Sequence, residues 1–316
     1  ALIIILWKVL LKIKNHQIFT NLVQRGLIVE RTSNNIISIS GNGEIPVEIL
    51  LPESFEIEKD SLQQLIAFAH LQTPRGTKMK CACATPGFHK GTTIPVGSVV
   101  VAPDNVVIPS AIGTDINCGM RLHSMGINLE TFLSRKKEFL HLLKGDLLEG
   151  TRDLPTTDNA MKSMFKYGLS GFWEEMRKTP KGIFANIDYN KVEEEIYRLH
   201  GSAFLLGDTK YAPENLMNRE WMRDPNLGTL GSSNHFYELQ VVKEVVDRKK
   251  AYELGIKLGD VMNMVHTGSR DVGFYVGNRW VDRAKQAYPK NMKHPDNKIF
   301  ALEGELAQEY LIAMQT

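Results

Sequence analysis

NVVIPSAIGTDINCGMRL, residues 105–122, sets an acid and a thiol three positions apart between two glycines. Its first half, NVVIPSAIG, is mostly apolar and reads as a buried strand. Asp115 and Cys118 then fall where that strand breaks into a Gly-rich turn. Gly113 and Gly119 tolerate backbone angles that let both side chains turn toward one point. A carboxylate and a thiolate meeting there suit a divalent metal. The same pair also reads as a buried structural cysteine beside a turn-capping aspartate, and the stretch alone leaves both readings open.

Upstream, NNIISISGNGEIPVEILLP (34–52) reads as two short strands about a Gly-Asn-Gly turn. EKDSLQQLIAFAHLQ (58–72) follows with Leu62, Leu65, Ile66 and Ala69 at helical spacing. Residues 81–126 form a strand-rich core, with two apolar runs about the Pro103-Asp104-Asn105 turn. From about 128 to 220 the pattern becomes helical and more charged, as in LETFLSRKKEFLHLLKGDLLEG and NKVEEEIYRLHG, and reads as a helical insertion. Strands return at NHFYELQVVKEVVD and again at LGDVMNMVHTGSRDVG, which runs into a Gly-Ser turn. The final GELAQEYLIAMQT places Leu306, Tyr310 and Ala313 on one helical face and stops without a cap, so the chain reads as truncated. The predicted class is α+β, a strand-rich central core with a helical insertion.

Composition narrows the options. The 316 residues suffice for a large core, and 43% apolar with 23% charged residues is ordinary for a globular protein. A net charge of +2 gives no global argument for binding nucleic acid, and Arg75, Lys78 and Lys80 in TPRGTKMK are the nearest basic patch. Three cysteines make no disulfide framework and suit a reducing compartment, so the predicted location is the cytoplasm. Cys81 and Cys83 alternate in KCACA, which fits one face of a strand better than a metal clip. The opening ALIIILW is far too short to span a membrane and has no basic region before it.

Two further stretches share the design of the first. LGTLGSSNHF leads through glycines to Asn234-His235 at the start of a strand, and NMVHTGSR ends an apolar strand with His266, followed by Gly268, Ser269 and Arg270. One histidine at a strand end is an ordinary structural feature. Three such junctions carrying Asp/Cys, His and His point to a shared site at one sheet edge. Asp115, Cys118, His235 and His266 suit one metal ion, or two sharing a thiolate. Arg270 offers a planar fork for phosphate oxygens, and the amides of TGSR and GTLGSS suit anion-binding nests. No Walker A and no G-x-G-x-x-G pattern occurs. His89 and Lys90 in PGFHKGT add a weaker signal.

These motifs resemble the RtcB-type RNA ligases, which join 3′-phosphate ends of RNA to 5′-hydroxyl ends. The resemblance rests on IPSAIGTDINCGMRL, LGTLGSSNHFYELQ and MVHTGSRDVG in the family's order. It is extended by IPVE near residue 45, PGFHKGTTIPVGSV and the terminal EYLIAM. It covers roughly residues 44–316, an incomplete ligase domain with its helical insertion at about 128–220, after an N-terminal segment 1–43 of unassigned register.

The resemblance implies that Cys118 bridges two manganese ions, Asp115 binds one, and His235 and His266 serve the other. The ion on Cys118, His235 and His266 is then the tighter one. Asn234 would contact phosphates, Glu238 the guanine of GTP, and Arg270 a phosphate of the RNA end or nucleotide; Arg270 and His89 are the candidate catalytic residues. The implied reaction is tRNA splicing or RNA repair. GTP guanylylates a histidine, GMP passes to a 3′-phosphate or 2′,3′-cyclic phosphate end, and the 5′-hydroxyl attacks. Implied partners are tRNA halves or broken RNA ends and an activating protein of the archease type, with no membrane. Two departures stand out. Gly87 occupies the position of an acid in the family's upstream motif, and the guanylylated histidine belongs to a portion that this sequence does not contain, so self-guanylylation is not expected. Thiolate and imidazole also favour zinc or copper over manganese on affinity alone. The other readings are a non-catalytic RNA-binding remnant and a metal-dependent phosphoesterase.

Overall fold

The computed structural model describes residues 15–41, 46–52, 55–147, 154–290 and 299–316. The fold mixes helices with four sheets among the described residues, in keeping with the α+β class. The chain separates into two compact units, one of residues 1–113 and 279–311 and the other of 114–278 and 312–316. The apolar opening run ALIIILW lies outside the described residues.

The first unit is built on a five-stranded sheet in chain order: β1 (Ile28–Ser33), β2 (Ile36–Ser40), β3 (Val47–Leu50), β4 (Cys81–His89) and β5 (Val96–Val101). β2 and β3 pair antiparallel, with Ile37 opposite Ile49; residues 42–45 of the expected Gly-Asn-Gly connection lie outside the described residues. Period-two alternation sends Ile37, Ile39, Val47 and Ile49 into the core. β3 and β4 are parallel, so a crossover is required, and the predicted helix supplies it at Lys59–Ala69. It buries Leu62, Leu65 and Ala69 as spaced in the sequence, together with Phe68. Ala82 and Ala84 point to the core, which leaves Cys81 and Cys83 partly buried on the other face of β4.

The stretch NVVIPSAIG is not one strand. β6 covers only Val106–Val107, pairing with β12 (Leu302–Glu303), and Pro109 then opens the short helix Pro109–Ile112. Proline suits a first helical position because its φ is preset and its missing N–H would have no intrahelical partner there. Gly113, at φ +82, ends the turn. Asp115 therefore follows a helical turn rather than a strand.

The second unit holds β7 (Gly119–Asn128), β10 (Phe236–Val241) and β11 (Asp260–Thr267) in the antiparallel order β10-β11-β7. Between β7 and β10 come helices Leu129–Ser134, Lys136–Leu147, Asp158–Met176 and Tyr189–Tyr197, and the strand pair β8 (Pro155–Thr157) and β9 (Trp221–Arg223). Met161, Phe165, Phe172 and Met176 of the longest of these helices form a core with Phe184, Leu216 and Met222.

The terminal helix spans Glu305–Gln315 and buries Ala307, Tyr310 and Ala313, with Leu306 half-buried. Tyr310 packs on Trp280 with ring centroids 5.3 Å apart, and its buried hydroxyl has no partner among the described residues. Burial pushes that phenol up to about 12. Tyr310→Phe removes an unsatisfied polar atom and keeps the ring. It is expected to leave stability unchanged or raise it by up to ~1 kcal/mol, whereas Tyr310→Ala opens a cavity costing about 3–5 kcal/mol. Denaturant unfolding checks both; a Tyr310→Phe loss above ~1 kcal/mol would mean that the hydroxyl makes a stabilising bond.

Candidate metal centre

The central strand β11 sets the site. His266 lies opposite Phe236 of β10 on one side and Met120 of β7 on the other. Cys118 immediately precedes β7 and His235 immediately precedes β10, so the pairing gathers all three at one end of the sheet. The Cys118 Sγ lies 2.9 Å from His266 Nε2 and 3.6 Å from His235 Nε2. Their ligand atoms all lie within 4.8 Å of one another. Asp115 stands beside this trio, its Oδ2 2.7 Å from His235 Nε2. The structure thus brings together the four residues singled out in the sequence.

Burial is uneven across the site. The His235 side chain is 6% exposed and His266 is 9% exposed, while Cys118 is open to solvent. Desolvation works against the charge of Asp115, but hydrogen bonds from Cys118 and His235 outweigh it and hold the carboxyl below its usual range. Desolvation, with the bond and charge of Asp115, pushes the Cys118 thiol up to about 11. On its own the protein therefore keeps a thiol here. A bound divalent cation reverses that preference, since a coordinated thiol ionises.

The donor set fits such a cation. One soft thiolate and two imidazole nitrogens suit a first-row transition metal. Ligands of one ion with bonds of about 2.0–2.3 Å lie roughly 3–4 Å apart, close to the spacing seen here. The Nδ1 atoms of both histidines are buried and have no protein partner among the described residues. That departs from the usual arrangement in which the second ring nitrogen is tied down by hydrogen bonding.

Two glycines make room for these groups. Gly231, at φ +107, comes so close that a Cβ there would lie 2.3 Å from His235 Nδ1 and 2.6 Å from Arg270 Nη1. At Gly268 a Cβ would meet Asp115 Oδ1 at 2.3 Å. Arg270 does not continue the Gly-Ser turn; it is the first residue of helix Arg270–Ala287, at φ +51. Its Nη2 donates to Asn226 Oδ1 at 3.2 Å, and its buried Nε has no partner among the described residues. Arg270 also borders a cleft of about 820 Å³ in the same unit, which Arg121, His123, Asn226 and Thr267 line as well.

The remaining candidates are more dispersed. Asn234 is exposed in the turn before β10. Glu238 is exposed on β10 opposite Met264, hence on the sheet face that carries His266, and accepts from Gln240 Nε2 at 2.9 Å. His89 is exposed at the end of β4, in the other unit, its Nδ1 3.4 Å from the Gly87 carbonyl oxygen. The sequence reading missed Asn226, whose contact with Arg270 crosses 44 residues and leaves no local signature.

The family model described as tRNA-splicing ligase RtcB matches residues 64–316. The chain belongs to the RtcB family. It is 27% identical over 299 residues to the tRNA-splicing ligase RtcB of Methanococcus maripaludis, covering 91% of this chain and 58% of that one. It is 31% identical over 269 residues to the protein of the same name from Archaeoglobus fulgidus, covering 82% and 51%. The chain thus spans about half the length of the curated RtcB relatives it matches. The RtcB match includes every residue of the site described above.

Gly231→Ala tests whether this packing holds the centre together. Both its φ and its lack of space oppose the substitution, and it is expected to weaken Mn²⁺ binding at least ~tenfold, measured by calorimetric titration. Gly255→Ala is the control, because Gly255 has φ +67 with nothing within 4 Å of its Cβ position. It should lose stability and keep its Mn²⁺ affinity. Unchanged affinity in Gly231→Ala would contradict the described packing.

Proposed function

We propose that this chain forms the metal- and phosphate-binding part of an RNA ligase. The ligase joins RNA 3′-phosphate or 2′,3′-cyclic phosphate ends to 5′-hydroxyl ends, with manganese and GTP as cofactors. One observation carries the reading: a Cys-His-His cluster with ligand atoms within 4.8 Å, in a chain whose family is described as tRNA-splicing ligases. Other members of the family are named for tRNA splicing, and tRNA halves or broken RNA ends are the substrates proposed here.

Cys118, His235 and His266 would hold one ion, and Asp115 with Cys118 would hold a second. Bound divalent ions supply charge neutralisation for crowded phosphates and align an in-line attack. The other roles belong to side chains of the chain itself. Asp115, 2.7 Å from His235 Nε2, adds the negatively charged oxygen donor of the set. Arg270 presents unused N–H donors to phosphate oxygens, and Asn234 adds an amide from the neighbouring turn. Glu238, exposed on the His266 face, accepts from the N–H edge of guanine. Manganese occupancy then reflects metal availability, since the donors themselves favour zinc or copper. An archease-type activating protein is the proposed partner, and a reducing cytoplasm suits a centre built on the free Cys118 thiol. No helix among the described residues is long and apolar enough to cross a membrane.

Fluorescence anisotropy with an RNA oligonucleotide ending in either a 3′-phosphate or a 3′-hydroxyl tests this reading. With Mn²⁺ the chain is expected to prefer the phosphate end by roughly tenfold or more, the size of a few charge-assisted hydrogen bonds, and Cys118→Ala or His266→Ala should abolish the preference. RNA binding that ignores both chelator and Cys118→Ala would instead favour the RNA-binding remnant. Phosphate released from the oligonucleotide would favour the phosphoesterase.

A further inference from the structure

Arg270 is held by an unusual neighbour for a phosphate-binding cation. Its guanidinium meets one acceptor among the described residues, Asn226 Oδ1 at 3.2 Å. Of the remaining donors, Nη1 lies against Gly231 and Nε is buried without a partner among the described residues, and the residue borders the cleft of about 820 Å³. Asn226 is itself fixed at three points. Its Nδ2 donates to Asp271 Oδ2 at 2.6 Å, its backbone N–H to Asp224 Oδ1 at 2.8 Å, and its carbonyl accepts from Thr229 Oγ1 at 2.7 Å. The bond to Asp271 settles which way the amide points. A flipped amide would set its NH₂ against the guanidinium and its oxygen against the carboxylate.

We propose that Asn226 is a positioning residue that orients the Arg270 guanidinium toward the phosphate of an RNA 3′ end. The inference rests on the reading of Arg270 as a phosphate-holding group. The Asp271 carboxylate fixes the Asn226 amide and the amide fixes the guanidinium, so two hydrogen bonds in series pass direction from the start of the helix to Arg270. Arg270 also sits at φ +51, a backbone setting that a non-glycine residue keeps only when its surroundings fix it. Orientation by Asn226 is part of that fixing.

The test measures the preference for RNA with a 3′-phosphate over a 3′-hydroxyl at saturating Mn²⁺, by anisotropy, on the full chain. Asn226→Ala is expected to reduce the wild-type preference about tenfold, the weight of one hydrogen bond to a charged group, while affinity for the 3′-hydroxyl RNA and for Mn²⁺ stays unchanged. Asn226→Asp should lose the preference as well, because it sets two carboxylates together at the 2.6 Å contact. The double change Asn226→Asp with Asp271→Asn rebuilds both hydrogen bonds with the amide and the acid exchanged, and should recover much of the preference. Unchanged affinity for the 3′-hydroxyl RNA and for Mn²⁺ in each variant separates lost orientation from a general structural defect. If Asn226→Ala discriminates as well as wild type, or if the double variant discriminates no better than Asn226→Asp alone, the positioning role is wrong and Arg270 keeps its assignment. If the wild-type chain itself binds both ends alike, the phosphate-binding reading of Arg270 falls, and the inference falls with it.

Discussion

The registration of β11 between β7 and β10 is the constraint on which the site depends. With His266 opposite both Phe236 and Met120, the residues just ahead of the two outer strands, Cys118 and His235, arrive beside it. The side-chain period of a strand is two, so a one-residue slip would send His266 to the other sheet face and dissolve the cluster. The T-shaped contact between Phe236 and His266, with centroids 5.2 Å apart, helps to fix that registration.

The same convergence creates an electrostatic conflict that a bound cation would resolve. Asp115 and Cys118 both gain negative charge on ionising, and both face imidazoles within hydrogen-bonding distance. Without a cation the carboxyl takes the charge and the thiol keeps its proton. Gly231 and Gly268 allow the close approach that makes this competition acute, because a side chain at either would occupy the space of Arg270, His235 or Asp115. The glycines of LGTLGSSNHF and MVHTGSRDVG thus serve packing around the centre as much as the shape of its turns.

Much of the centre was legible in the sequence because each candidate ligand borders a Gly-rich turn at the start or end of an apolar run. What such patterns cannot convey is the element on either side. The apolar run NVVIPSAIG suits a strand or a buried helical turn equally, and Pro109 at a first helical position decided for the turn. Arg270 read as part of a turn because Gly268 and Ser269 precede it, yet it begins an 18-residue helix. Asn226 carried no signal, since its role exists only through partners 44 and 45 residues away. RNA chemistry came from the family resemblance; the residues alone reached a metal site with phosphate-binding groups.

Cobalt(II) titration tests most directly that Cys118, His235 and His266 bind one ion, because a cobalt–thiolate bond produces a charge-transfer band in the near ultraviolet. The chain should develop this band in proportion to bound Co²⁺. Cys81→Ser and Cys83→Ser should retain it, Cys118→Ser should abolish it, and His266→Ala should weaken binding at least ~tenfold. A band that survives Cys118→Ser, or one that disappears with Cys81→Ser or Cys83→Ser, would place the metal elsewhere and contradict the account.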